Sequence, residues 1–299
     1  MNEWIAPIGT ASVAKQAPAG AAGAAAVESS PRPRAAQPRA IGEALVGAKF
    51  ARGGSVLADL RQRGCAKALL PAGVDPGLSA VLLNTAGGIT GGDRLTYRGV
   101  AHPGARLTLS TQAAERAYRA HPGEVGRVDA TLKVAPGARI DWLPQETILF
   151  DGCALDRTLT IDMAGDGVVL ALEAVIFGRA AMGEVLTDPR FRDAWRVRRD
   201  GRLIYADGFR LIGPDALSRH GALAGAGAAA SLLLAAPDAE AMAPRARAAL
   251  GDAPGAGVSA FDSLLSARII AADGLALRRR LIPLLVALRG APPPKVWTI

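Results

Sequence analysis

The amino-acid sequence predicts a mainly β, single-core protein with two α-helices late in the chain. Three observations carry that expectation. Apolar and polar residues alternate over short spans. Glycine and proline punctuate the chain at 55 positions, 35 and 20 respectively, which favours short segments joined by turns. Regular strand–helix–strand alternation is missing, which argues against a doubly wound nucleotide-binding domain.

The 299 residues are enough for one large or two ordinary domains. Residues 1–41 are mostly Ala, Pro, Gly, Ser and Arg without hydrophobic periodicity. Such a segment buries too little apolar area to offset its ordering entropy. A disordered leader over 1–41, followed by one mainly β domain over 42–299, is therefore expected.

Alternation marks strands at Arg106–Ser110, Ala130–Val134 and Leu159–Asp162, each with its apolar residues on one face. Ala80–Leu83 and Val168–Phe177 read as strands buried on both faces, the second interrupted only by Glu173. Asp200-Gly201 lies between Trp195–Val197 and Leu203–Tyr205 and supplies the positive φ angles of a type I′ hairpin turn. Val258–Phe261 and Leu264–Ala271 read as two further strands.

A first helix is expected over Glu240–Leu250, with Asp238 as N-cap and Gly251 as its stop, although Pro244 allows a start only there. The second spans Leu275–Leu288 and aligns Leu277, Leu281, Leu284, Leu285 and Leu288 on one face. Pro283 should kink or shorten it.

The formal net charge of +8 suits nucleic acid, an acidic protein partner or a merely arginine-rich composition. No dense basic block stands apart from apolar residues, so nucleic acid is not the expected partner. Cys65 and Cys153 lack metal-ligand or redox spacing and read as free thiols of a reducing cytoplasm. No secretory signal is evident, and no run approaches the roughly 20 apolar residues that span a bilayer.

Two segments stand out. Leu83-Asn84-Thr85-Ala86-Gly87-Gly88-Ile89-Thr90-Gly91-Gly92-Asp93-Arg94-Leu95 carries two Gly-Gly pairs, which allow tight turns and close backbone approach. A phosphate loop would end in Gly-Lys-Ser/Thr, whereas this one ends in Gly-Asp-Arg and would repel phosphate. A structural turn with Asp93 bonding local amides is the plainer reading. In Trp142–Gly152, Glu146 and Asp151 have odd spacing and would face opposite ways on a strand. Paired catalytic carboxylates are therefore not implied without a bend between them, and strand-end charges in solvent are the favoured reading.

His102, His121 and His220 are scattered, and no local set of imidazoles or thiolates forms a transition-metal site. A G-x-S-x-G elbow is absent. Residues alone therefore leave a mainly β protein without an evident active site.

The glycine-rich segment resembles the signature of the UreD (UreH) urease accessory family. Thr111–Arg119, Trp142–Gly152, Gly178-Arg179 with Met182–Glu184, Trp195–Phe209 and Leu288–Trp297 are similar to that family's further blocks, in order. Thr85-Ala86 stands where many members have Pro-Pro, and Pro283 and the long leader also depart from the pattern. The resemblance implies strands stacked into a β-helix or sandwich-like body with C-terminal helices. It implies a non-enzymatic nickel-delivery scaffold with the helical protein UreF, the GTPase UreG and the nickel-free urease subunits as partners. No tightly bound cofactor is implied, only transient Ni(II). Asp93, Glu146 and Asp151 become the candidates for a nickel path or for partner docking. The rivals are an enzyme acting on a small anion through the glycine loop, and a nucleic-acid binder whose affinity falls steeply with salt.

Overall fold

The computed structural model describes residues 37–72, 77–213, 215, 217, 223–252 and 254–297. The expected leader lies almost wholly outside them, as does His220. Strand β1 spans Ile41–Ala51, β2 Gly54–Gly64, β3 Ala66–Leu69, β4 Leu78–Asn84, β5 Arg94–Ala101 and β6 Arg106–Thr111. They are followed by β7 Glu115–Ala117, β8 Gly126–Val134, β9 Arg139–Leu143, β10 Thr147–Leu149, β11 Ala154–Met163 and β12 Val168–Phe177. The last strands are β13 Arg190–Arg199, β14 Arg202–Ile212, β15 Ala228–Ala235, β16 Ala256–Phe261 and β17 Leu264–Ala271. Helix α1 covers Ala243–Leu250 and α2 Gly274–Arg289.

Two sheets form the body, ordered β14-β13-β11-β8-β5-β1-β2 and β16-β17-β15-β12-β9-β6-β4-β3. Between β4 and β13 the chain alternates between them. Each pair of strands makes one coil, and β4, β6, β9 and β12 stack in parallel, as do β5, β8, β11 and β13. This is a β-solenoid-like arrangement closed by antiparallel strands. Period-two patterning drives it: Ala130, Leu132 and Val134 from one sheet, and Leu107 and Leu109 from the other, are all buried. At roughly 25 cal/mol per Å² of apolar area, this inter-sheet burial is the main stabilising contribution.

The Asp200-Gly201 turn forms as expected, with φ of 49° and 78° and Arg199 facing Arg202. In β12 the run Val169–Val175 is buried, because α2 covers the face that the first sheet does not. β4 differs from expectation: Ala80 and Leu82 are buried, but Val81 and Leu83 are only half-buried. Among the described residues no helix covers its outer face as α2 covers that of β12.

Asp238 does not cap α1. A single 3₁₀ turn over Glu240–Met242 leads into a helix that starts at Ala243, with Pro244 in its first turn, where its missing N–H costs no hydrogen bond. α2 is capped by Asp273, whose Oδ1 accepts from Ala276 N at 2.7 Å, and it continues past Pro283 to Arg289. Pro283 and Arg279 are both exposed, so water can serve the carbonyl that the proline leaves unbonded. The five leucines expected on one face are all buried and hold the helix across it.

Candidate functional site

The turns that carry the chain from the second sheet to the first lie next to one another, because the coils stack in register. The glycine-rich segment follows β4, the Thr111–Arg119 segment follows β6, and the Trp142–Gly152 segment follows β9. Short strands link them: β10 pairs in parallel with β7 and with the end of β12, and Ile89 bridges Ala117. Segments far apart in sequence thus form one side of the solenoid.

The glycine segment is fixed against β7. Ile89 N donates to Arg116 O at 2.7 Å and Tyr118 N to Ile89 O at 2.8 Å. Asn84 Nδ2 donates to Gly88 O at 2.9 Å and to Glu115 Oε2 at 3.2 Å. A Cβ on Gly88 would overlap the Tyr118 ring, so this turn requires a residue without a side chain.

Asp93 closes the same turn. Its Oδ2 accepts from Thr90 N and its Oδ1 from Ala40 N, both at 2.8 Å. Glu146, 1% exposed, is held by Arg278 of α2, with Nε to Oε1 at 2.6 Å and Nη2 to Oε2 at 2.8 Å. Asp151 Oδ2 accepts from Arg119 at 2.5 Å. Its Oδ1 accepts from Thr187 N, Thr187 Oγ1 and Asp188 N at 2.6, 2.9 and 3.0 Å. Burial opposes that charge, but these hydrogen bonds outweigh it and lower the pKa to about 2. Glu146 and Asp151 share the segment after β9, Asp93 ends the segment after β4, and each carboxylate has its own donors. Among the described residues no group of three or more His, Cys, Asp or Glu is placed to hold a metal ion.

Two cavities lie beside these turns. The outer one, about 230 Å³, is lined by Asn84, Gly87, Tyr97, Thr111 and Glu115 among others. An inner one of about 40 Å³ shares Tyr97, Thr111 and Glu115 with it and continues to Trp142, Arg157 and Glu173. Desolvation raises the Glu115 pKa, against the hydrogen bonds from Arg116 N and Asn84.

At the inner end, Arg157 Nη1 lies 2.6 Å from Glu173 Oε2 and Nη2 lies 2.7 Å from Asp193 Oδ2. Thr147 Oγ1 accepts from Nη1 at 3.1 Å, and Trp142 Nε1 donates to Glu173 Oε1 at 2.8 Å. All three charged residues are buried. Desolvation outweighs the attraction of Arg157 and raises the Glu173 pKa to about 7, with Asp193 adding to the rise. Arg157 Nε and Asp193 Oδ1 find no partner among the described residues.

Sequence reasoning did not select Glu115, Arg157 or Asp193. Glu173 had a visible signal: a carboxylate inside a strand buried on both faces must be paired. The two cysteines are free thiols, Cys153 buried and Cys65 half-buried. Desolvation pushes the Cys153 pKa up to about 11.

Fold and site together define a parallel-coil β protein whose interior holds carboxylates and a guanidinium between its sheets. The profile of the UreD urease accessory protein family matches residues 40–298, and the chain belongs to that family. It is 46% identical over 269 residues to the urease accessory protein UreD of Sinorhizobium medicae, an alignment covering 87% of this chain and 96% of that one. It is 48% identical to the UreD of Ruegeria pomeroyi, over 82% and 96% of the two chains. With the UreD of a Chelativorans species the identity is 44%, over 87% and 95%. No helix among the described residues is long and apolar enough to cross a membrane.

Proposed function

We propose that this chain is a cytoplasmic scaffold without bond chemistry of its own, which joins nickel-free urease to UreF and UreG and conducts nickel toward urease. Family membership supports the role in urease maturation. The observation that carries the nickel path is the pair of cavities sharing Glu115, the inner one ending at Glu173.

Oxygen donors suit a cargo that must be released. Carboxylates, amide carbonyls and hydroxyls bind a divalent transition metal more weakly than a cage of imidazoles or thiolates. Glu115, Asn84 and Thr111 would offer such ligands transiently, and no tightly held cofactor is required. Asp93, Glu146 and Asp151 are not among the residues that line either cavity; from the segments beside them they would fix the shape of the path or offer a docking surface.

The test is reconstitution of apo-urease with the full chain, UreF, UreG, GTP, bicarbonate and limiting nickel. Glu115→Gln should leave the complex assembled while urease activation slows by about tenfold, the loss of roughly 1.4 kcal/mol. Activation at the wild-type rate would remove the path. Turnover of a small substrate by the isolated chain would remove the scaffold.

A further inference from the structure

The two ends of the seven-stranded sheet are closed differently. At the β14 end, inward-facing Leu211 is buried, and Tyr205 reaches the other sheet, its Oη 3.2 Å from Ser266 Oγ. At the β2 end, Leu57 registers with Ala48 and Leu60 with Val46, so both leucines face inward with those buried residues. They are nevertheless 37% and 38% exposed, and Phe50 is 56% exposed. β3, the end strand of the opposite sheet, has four residues against the eleven of β2 and does not span the gap.

β2 also presents a free strand edge, since among the described residues it pairs only with β1. Cys65 N donates to Ile41 O at 3.1 Å, which fixes the alternation of the ladder. Arg61 and Arg63 turn their backbone groups to β1, whereas Leu60 and Gln62 turn theirs to the free edge. A bulge at Ala58 ends the regular ladder, so the stretch open to a new strand is short. On the solvent face, Asp59 and Arg61 are both exposed. Asp59 meets only His102, at 3.8 Å, and Arg61 has no ion pair among the described residues.

We infer that two copies of this chain associate through this end, their β2 strands pairing antiparallel about a two-fold axis at Leu60. Such an axis must pass through a residue if inward-facing side chains are to meet inward-facing ones. Through Asp59 or Arg61 it would oppose that charge to its own copy, and through Gln62 it would oppose Arg61 to Arg63. Only the axis at Leu60 sets Asp59 against Arg61 of the second copy, twice, at positions where cross-strand side chains come closest. It also brings the two Leu60 side chains together, so each copy covers the other's open end. The chain's first 36 residues contain no acidic residue two places before a basic one, so they lack the charge order that this edge would match. The end offers about 36 Å of strand across a gap of about 10 Å, roughly 360 Å² before flanking atoms are added. That is less than the roughly 800 Å² per partner of a standard interface, so the dimer is weak and forms in the micromolar range. This inference is independent of the nickel path.

Sedimentation of the full chain from about 1 µM to about 200 µM should show a reversible monomer–dimer equilibrium. Amide exchange at Leu60 should slow as the dimer fills. Asp59→Arg alone, or Arg61→Asp alone, sets like charges opposite each other and should weaken association by about tenfold or more. Asp59→Arg combined with Arg61→Asp restores opposite charges in both pairs and should restore the dimer. These changes are at exposed positions and should leave the melting temperature at the wild-type value; the amide measurement needs no variant and decides the matter if one fails to fold. A chain that stays monomeric throughout would overturn the inference. So would a dimer indifferent to either single reversal, or one that the double change does not recover. Slow Leu60 exchange at every concentration would show that the chain's own residues cover this edge, and would overturn it too.

Discussion

Arg278 on α2 grips both carboxylate oxygens of Glu146 and joins the C-terminal helix to the turn that follows β9. The same guanidinium donates to Gln145 Oε1 at 2.7 Å and lies 5.3 Å from the centre of the Trp297 ring. Trp297 Nε1 in turn bonds Leu143 O at 3.1 Å. Arg278 thus fastens the turn at Lys295–Trp297 and the second helix to the edge of the candidate site.

Arg278→Lys should therefore not behave as a conservative change. A lysine cannot reproduce the fork that meets both oxygens. The loss should be about 2 kcal/mol of unfolding free energy, read as a drop of roughly 5 °C in melting temperature. Glu146→Gln should cost a similar amount. A melting temperature unchanged in both variants would contradict this anchoring role.

Asp151 should govern part of the acid response. Its folded-state pKa is about 2, below the ordinary carboxylate value. Its contribution to stability is therefore complete above about pH 4 and disappears as pH falls toward 2. Acid titration of stability should show a shallower decline over that window for Asp151→Asn than for the wild type. Parallel curves would mean that Thr187 and Arg119 do not hold the charge.

Glu173 works in the opposite sense. With a folded-state pKa raised to about 7, it binds a proton in the native state that the unfolded chain has already released. Its contribution is present below about pH 4.5 and is lost as pH rises through 7. Glu173→Gln should remove that slope, which urea midpoints measured from pH 5 to 8 would reveal. Glu173→Ala should cost roughly 3–5 kcal/mol, because Arg157 then keeps only one of its two buried carboxylates.

Gly88→Ala tests the glycine segment. The new methyl would overlap the Tyr118 ring, so either the ring or the turn must move, at about 1–3 kcal/mol. The double variant Gly88→Ala/Tyr118→Ala should recover part of the stability lost by the alanine substitution. A single variant as stable as the wild type would show that the turn tolerates a side chain.

Much of the architecture was legible from local pattern. Strands at Ala130–Val134 and Leu159–Asp162 follow from side-chain alternation, those at Val258–Phe261 and Leu264–Ala271 were also expected, and the Asp200-Gly201 hairpin follows from backbone preference. The leucine stripe of α2 was equally plain. Pro283 does not shorten α2, which runs to Arg289, because buried leucines on the opposite face hold it together. Asp238 has the residue type of a cap but lies too far upstream, because a 3₁₀ turn intervenes before α1.

Of the site, the glycine-rich and Trp142–Gly152 segments were visible as unusual blocks, and their carboxylates were selected from them. What each carboxylate meets was not visible. Glu146 and its arginine are 132 residues apart in the chain, and Arg157 and Asp193 are 36 apart.

The sequence by itself determined most of the strands, the Asp200-Gly201 turn, the leucine stripe of α2 and the family, since these reside in near-neighbour pattern. Only the tertiary structure decided which charges are paired, which carboxylates reach the cavities, and which inward-facing leucines stay exposed at the β2 end. Those depend on stacking register between distant segments, and Coulomb and desolvation energies follow distance in space rather than position along the chain.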